Sequence, residues 1–300
     1  MIEYYLFINF NDKKMKKIFV HISVLALTLS LFIACSSKTE DVSPKVEGLG
    51  GDTWAKQPID TWLEQTFTKP YNIEVKYRWD PYEIPLNKTL VPPLIEKVQP
   101  TMEAVKAIWI DPYEAEAGTD FIKKFCPKQY VLVGSLNWNN NGTVVLGTAE
   151  GGRKVTLYEI NDFNKKDVVY VKRMLHTIHH EFGHILHQNI LYPLPFKQIT
   201  PGTYTSNWYN VSDGMALALG YITPYSMLTA DEDFVEVLAT MLVEGKPGFD
   251  ALVNKSTTAT GKAALRQKEQ IVVDYLKKTY NIDFKSLQTR TQTAIINFTK

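Results

Sequence analysis

Apolar positions along this chain follow the helical period in some stretches and the strand period in others. Leu94, Ile95, Val98, Met102, Val105 and Ile108 recur every three or four residues, which predicts a helix over about 93–109, opened by Pro92-Pro93. A second helix is predicted over about 112–125. Ile73 to Trp79 alternates apolar and polar and reads as a strand. Three more strands are predicted over 129–136, 143–148 and 153–160. Asn139-Asn140-Asn141-Gly142 and Glu150-Gly151-Gly152 supply the turns between them. Helical spacing returns over 168–189 and is stopped by Pro193 and Pro195. Residues 193–214, rich in Pro, Gly, Thr and Asn, read as loop, and helices are predicted over about 231–245, 259–279 and 283–298. Helices around a small antiparallel sheet predict an α+β fold. Val155–Ile160 is the candidate edge strand, where an extended chain could pair.

The N-terminus has a different pattern. Basic Met15-Lys16-Lys17 precedes the uncharged, mostly apolar stretch Ile18–Ala34. Leu31-Phe32-Ile33-Ala34-Cys35 then resembles a bacterial lipobox. Residues 1–35 are expected to be a leader and lipoprotein signal peptide, with Cys35 the lipidated residue. Residues 36–51, polar and turn-rich, are expected to be a tether. Only Cys126 then remains, so no intrachain disulfide is available, and Cys126 reads as a small buried apolar residue. The net charge of +1 and the hydrophobic fraction of 45% are ordinary for a globular chain and give no electrostatic footprint for nucleic acid.

The chemistry concentrates in one helix. Five of the six histidines fall between His176 and His187, and the sixth, His21, lies in the leader. His180-Glu181-Phe182-Gly183-His184 is an H-E-x-x-H. Histidines four apart share a helical face and can reach one Zn²⁺, while the glutamate between them can activate water. The bent-helix metzincin pattern needs glycine and histidine further on, where this chain has His187 and Ile190. The third ligand must therefore be His187 or a carboxylate. His180 and His187 stand about 10 Å apart along a straight helix, too far to share one ion with His184. His176 and His187 are read as supporting or surface residues and His179 as structural. Gly183 costs about 1 kcal/mol inside a helix, so close packing beneath the site is expected. Downstream, Glu232 and Glu236 lie one turn apart on one face. Glu232 is favoured as ligand, and Glu236 is the rival or the group that orients a ligand histidine. Trp138 and Trp208, in Asn-rich loops, are candidate glycan-stacking residues, though most aromatics in such a chain pack in the core.

These segments, together with Gly220-Tyr221-Ile222-Thr223-Pro224-Tyr225, Glu232-Asp233-Phe234-Val235-Glu236 and Tyr77-Arg78-Trp79-Asp80, resemble the substrate import-associated zinc metallohydrolase lipoproteins. The resemblance implies a zincin-like metallohydrolase domain over 52–300, with an α/β part to about 190 and a helical part from about 191. It also implies a zinc cofactor, a peptide or glycopeptide substrate, an outer-membrane lipid anchor and neighbouring TonB-dependent importer components. A looser resemblance is to the lethal-factor type of gluzincin. It implies that Glu232, the first Glu of a Glu-x-Phe-x-Glu segment, binds zinc, and that Tyr225, seven residues earlier, stabilises an oxyanion. A non-catalytic binding accessory of an importer and a zinc amidase acting on glycan or cell-wall peptide are the alternatives.

Overall fold

The computed structural model describes residues 54–300, of which Lys56–Lys300 form one compact unit. The leader, Cys35 and the tether lie outside the described residues. Among those described, no helix is long and apolar enough to cross a membrane.

The chain opens with α1 (Pro58–Leu63), extended by a π-helical turn, and strand β1 (Glu74–Lys76). Helix α2 (Ile95–Val105) continues through a π-helical segment, Lys106–Ile110, into α3 (Asp111–Ala117), with α4 (Thr119–Phe125) directly after it. Strands β2 (Gln129–Leu132), β3 (Asn137–Trp138), β4 (Val144–Val145), β5 (Gly147–Glu150) and β6 (Lys154–Leu157) come next. Then come α5 (Val168–Asn189), α6 (Asp213–Leu219), α7 (Ala230–Lys255), α8 (Ala259–Tyr280) and α9 (Phe284–Thr299).

The α+β class holds, but the sheet is mixed rather than antiparallel. Its order is β1-β2-β6-β5, with β1, β2 and β6 parallel and only the β5–β6 hairpin antiparallel. Helices α2–α4 provide the long crossover that two parallel strands need. The β3–β4 hairpin turns through Asn139–Gly142, as the sequence predicts, and forms a separate two-stranded sheet. β3 and β4 pair with each other, and β2 takes β6 as its partner and lies parallel to it. The edge strand also differs from expectation. Val155–Leu157 is buried between β2 and β5, and β5 forms the edge. Helix α5 crosses β5 so closely that a Cβ at Gly147 would overlap the Thr177 methyl.

Residues 193–214 are not all loop. Ser212 caps α6 by accepting from the Met215 N–H, and Gly220, at φ 88°, ends it. Helix α7 turns at Gly245 (φ 67°), where the predicted helix ends, and resumes through Pro247.

Phe182 points from α5 into the main core, edge-to-face with Trp109 at 5.1 Å and Tyr113 at 5.0 Å. This fixes the rotation of α5 and turns the opposite, histidine-bearing face towards α7 and β5. His179, fully buried against Tyr113, has no hydrogen-bond partner, and burial lowers its pKa to about 3, so it stays neutral. Cys126 is buried, as expected.

Candidate metal centre

Asp167 caps α5 by accepting from the Tyr170 N–H at 3.0 Å, and the helix then presents His176, His180, His184 and His187 along one side. Thr229 caps α7 by accepting from the Glu232 N–H. Its first turn carries Asp231, Glu232 and Asp233, which point in different directions because successive helical residues are rotated by about 100°. Asp231 accepts from the Tyr192 hydroxyl, Asp233 pairs with Lys268, and Glu232 meets the histidines.

Three ligand-type atoms converge. His180 Nε2 and His184 Nε2 are 3.2 Å apart, and Glu232 Oε2 lies 3.0 Å from the first and 3.3 Å from the second. Zinc bonds of about 2.05 Å in a tetrahedron place ligand atoms about 3.3 Å apart, so this donor set fits the ion. A second cluster, His176, His180 and Glu236, does not fit in the same way. Glu236 Oε1 lies 2.8 Å from both His176 Nε2 and His180 Nδ1, which is hydrogen-bond length. Its Oε2 accepts from Thr223 Oγ1 at 2.7 Å. Glu236 is thus occupied in holding two imidazoles, and His180 is left with Nε2 facing Glu232. His184 is held similarly, its Nδ1 2.9 Å from His187 Nε2. That bond leaves the buried His187 Nδ1 without a partner.

The electrostatics reflect this crowding. Burial disfavours the charged form of His180, yet hydrogen bonds to Glu232 and Glu236 outweigh it and raise its pKa to about 10. Burial would raise Glu232, but its bonds to His180 and His184 lower it to about 2. Burial and the neighbouring His184 lower His187 to about 4. For Glu181, burial raises the pKa against the pull of His180 and His184, and the Ala149 N–H of β5 faces its carboxylate. Burial, then Glu232 and Glu181, raise Tyr225, so its phenol keeps its proton. Its ring lies 5.8 Å from that of His180.

His180, Glu181, His184, Tyr225 and Glu232 all line one cavity of about 410 Å³, walled opposite by β5. The structure brings together the predicted ligands, base and supporting residues, His180, Glu181, His184, His187, Tyr225, Glu232 and Glu236. Glu236 and His187 sit behind the ring nitrogens rather than in that cavity. Trp208 packs edge-to-face on Tyr225 at 5.0 Å, whereas Trp138 is solvent-exposed on the β3–β4 hairpin. Sequence reasoning missed Thr223, for which no spacing signal exists. It also missed Lys268, fully buried 2.6 Å from Asp233 and 2.7 Å from the Gly220 carbonyl. That lysine was detectable: it continues the apolar face Leu265, Val272, Tyr275 and Leu276 of α8, where a lone charge needs a partner.

The profile of a family described as putative zinc-binding metallo-peptidase matches residues 52–285. The chain belongs to this family. A crystal structure of a putative zinc-binding metallo-peptidase from Bacteroides caccae ATCC 43185 is similar at 33% identity and a TM-score of 0.70, covering 82% of this chain and 95% of that one. No curated protein matches the chain significantly. Zinc is the cofactor of the family, in agreement with the donor set found here.

Proposed function

We infer that this protein is a gluzincin-type zinc peptidase in which His180, His184 and Glu232 hold the ion and Glu181 is the general base. The observation that carries this reading is the convergence of three ligand atoms at 3.0–3.3 Å beside Glu181 in one cleft. Zinc held there supplies positive charge that polarises a scissile carbonyl and acidifies water. Glu181 takes the proton of the attacking water and passes it to the leaving amine. Glu236 fixes the His180 tautomer through Nδ1, and His187 does the same for His184. The neutral Tyr225 phenol is the donor for the oxyanion. Strand β5 offers an unpaired edge beside Glu181 to an extended peptide.

Glu181→Gln keeps the shape and removes the base, so hydrolysis should fall about 10²- to 10⁴-fold with zinc content unchanged. If zinc-loaded wild type cleaves nothing in a broad peptide library, the binding-accessory reading takes its place. The lipobox-like segment ending at Cys35 supports lipid anchoring at the outer membrane, and the lipoprotein resemblance supports a role beside a TonB-dependent importer. Loss of palmitate labelling in Cys35→Ala tests the anchor.

A further inference from the structure

We propose that the cleft takes an internal stretch of an extended polypeptide and cuts it as an endopeptidase, with a large apolar side chain seated against Trp208. This rests on the peptidase reading above. The cavity containing Glu181 continues into a second, of about 490 Å³, sharing His180, Glu181 and Tyr225 with it. The second continues into a third, of about 410 Å³, through His176 and Thr177. Together they run along one side of α5 from Gln188 to Val169, about 28 Å at 1.5 Å per residue. At 3.3 Å per residue, about eight residues of extended chain fit. Glu181 lies about 10 Å from the Gln188 end and about 18 Å from the Val169 end, so bound chain extends on both sides of the reacting bond.

An exopeptidase must recognise a terminal ammonium or carboxylate within a residue or two of that bond, about 4–7 Å away. Among the residues lining these cavities, no spare charge is placed to do so. In the first cavity the only carboxylate or imidazole groups are those of the centre itself. The second adds His176 and Glu236, whose mutual bond and contacts to His180 and Thr223 already occupy that carboxylate. Lys172 and Arg173 appear only in the third cavity, with Arg173 about 12 Å along the helix from Glu181. They are paired with Glu244 at 2.8 Å and Glu159 at 2.5 Å. Part of the wall of the second cavity is instead apolar. Val144, Leu146 and Leu228 line it with the half-buried Trp208, which Tyr225 braces. Such a wall favours a bulky apolar side chain on that side of the bond.

The test uses zinc-loaded protein and a mixture of random decapeptides, supplied with free termini or N-acetylated and C-amidated, with products read by mass spectrometry. Both forms should be cut at the same internal bonds with kcat/KM within about threefold. Bulky apolar residues should be enriched on one side, and Trp208→Ala should flatten that enrichment. Stepwise release from one end, or loss of cleavage on capping, overturns the proposal while leaving the peptidase reading intact. Hydrolysis of neither set overturns both. A readout independent of turnover is the anisotropy of a labelled capped decapeptide on zinc-loaded Glu181→Gln. Affinity equal to that of the uncapped peptide supports the proposal, and binding that requires a free terminus overturns it.

Discussion

Gly183→Ala separates local helix propensity from tertiary packing. On propensity alone the substitution should stabilise the protein by about 1 kcal/mol, because glycine is poor inside a helix. The structure predicts the opposite. A Cβ at position 183 would lie 2.9 Å from Val235 Cγ1, 3.1 Å from Val235 Cβ and 3.7 Å from its Cα. Carbon–carbon contacts relax at about 3.5–4.0 Å, and rotating Val235 moves its methyls but not its Cβ. Helices α5 and α7 must therefore part by about 0.5 Å. Overpacking of this kind costs about 1–3 kcal/mol, leaving a net loss of about 1 kcal/mol and a melting temperature lower by about 2–4 °C. Zinc affinity is the sharper readout. Glu232 lies one turn before Val235, and metal–ligand distances tolerate only about 0.2 Å, so affinity should fall at least tenfold. Chelator competition and thermal unfolding, with and without zinc, measure both effects. Adding Val235→Ala removes the nearest methyl and should recover part of the affinity. A Gly183→Ala variant that binds zinc as wild type does and melts higher would refute the reasoning.

Glu236→Ala should weaken zinc about 10- to 100-fold and Glu232→Ala more, because one orients His180 while the other supplies a converging oxygen; the reverse order would move the ligand one turn along α7. In the metal-free protein, His180 is raised from 6.5 to about 10, so its stabilising contribution is complete below about pH 6.5 and lost as pH rises through about 10. Glu232 is lowered from 4.5 to about 2, so its contribution is present above about pH 4.5 and lost as pH falls through about 2. Zinc uptake at pH 7 should then expel the His180 proton, and calorimetry in buffers of different ionisation enthalpy would show no buffer dependence if that is wrong. Lys268→Met strands Asp233 in the core and should cost about 3–5 kcal/mol by denaturant unfolding, much of it restored by adding Asp233→Asn. Equal stability of the single and double variants would show that the pair is not coupled.

The legible parts of the sequence were those set by near neighbours. The histidines of α5 share a face because residues four apart always do, and the Asn139–Gly142 and Gly151-Gly152 turns come from local backbone freedom. Even the close approach at Gly183 was readable, since a costly glycine in a helix needs a packing reason. Helix α6 escaped because its seven residues offer too few turns for a period to emerge among turn-forming neighbours. The assignment of Val155–Ile160 to the edge failed because alternation along one strand says nothing about which strands flank it.

By itself, then, the sequence determined that two imidazoles and a carboxylate sit on one turn-and-a-half of helix, and that a glutamate one or two turns into a later helix was available to them. Whether Glu232 or Glu236 meets Nε2 is a difference of one turn, about 5.4 Å, between helices separated by some forty residues of chain. Local periodicity carries no information about that offset. It is decided where Gly183 lets Val235 settle against α5, where Phe182 anchors α5 in the aromatic core, and where Lys268 holds Asp233 and the Gly220 carbonyl together. The direction of β2 beside β6 and the position of β5 over Glu181 were decided in the same way. Each depends on contacts between segments that only the folded core brings within a few ångströms.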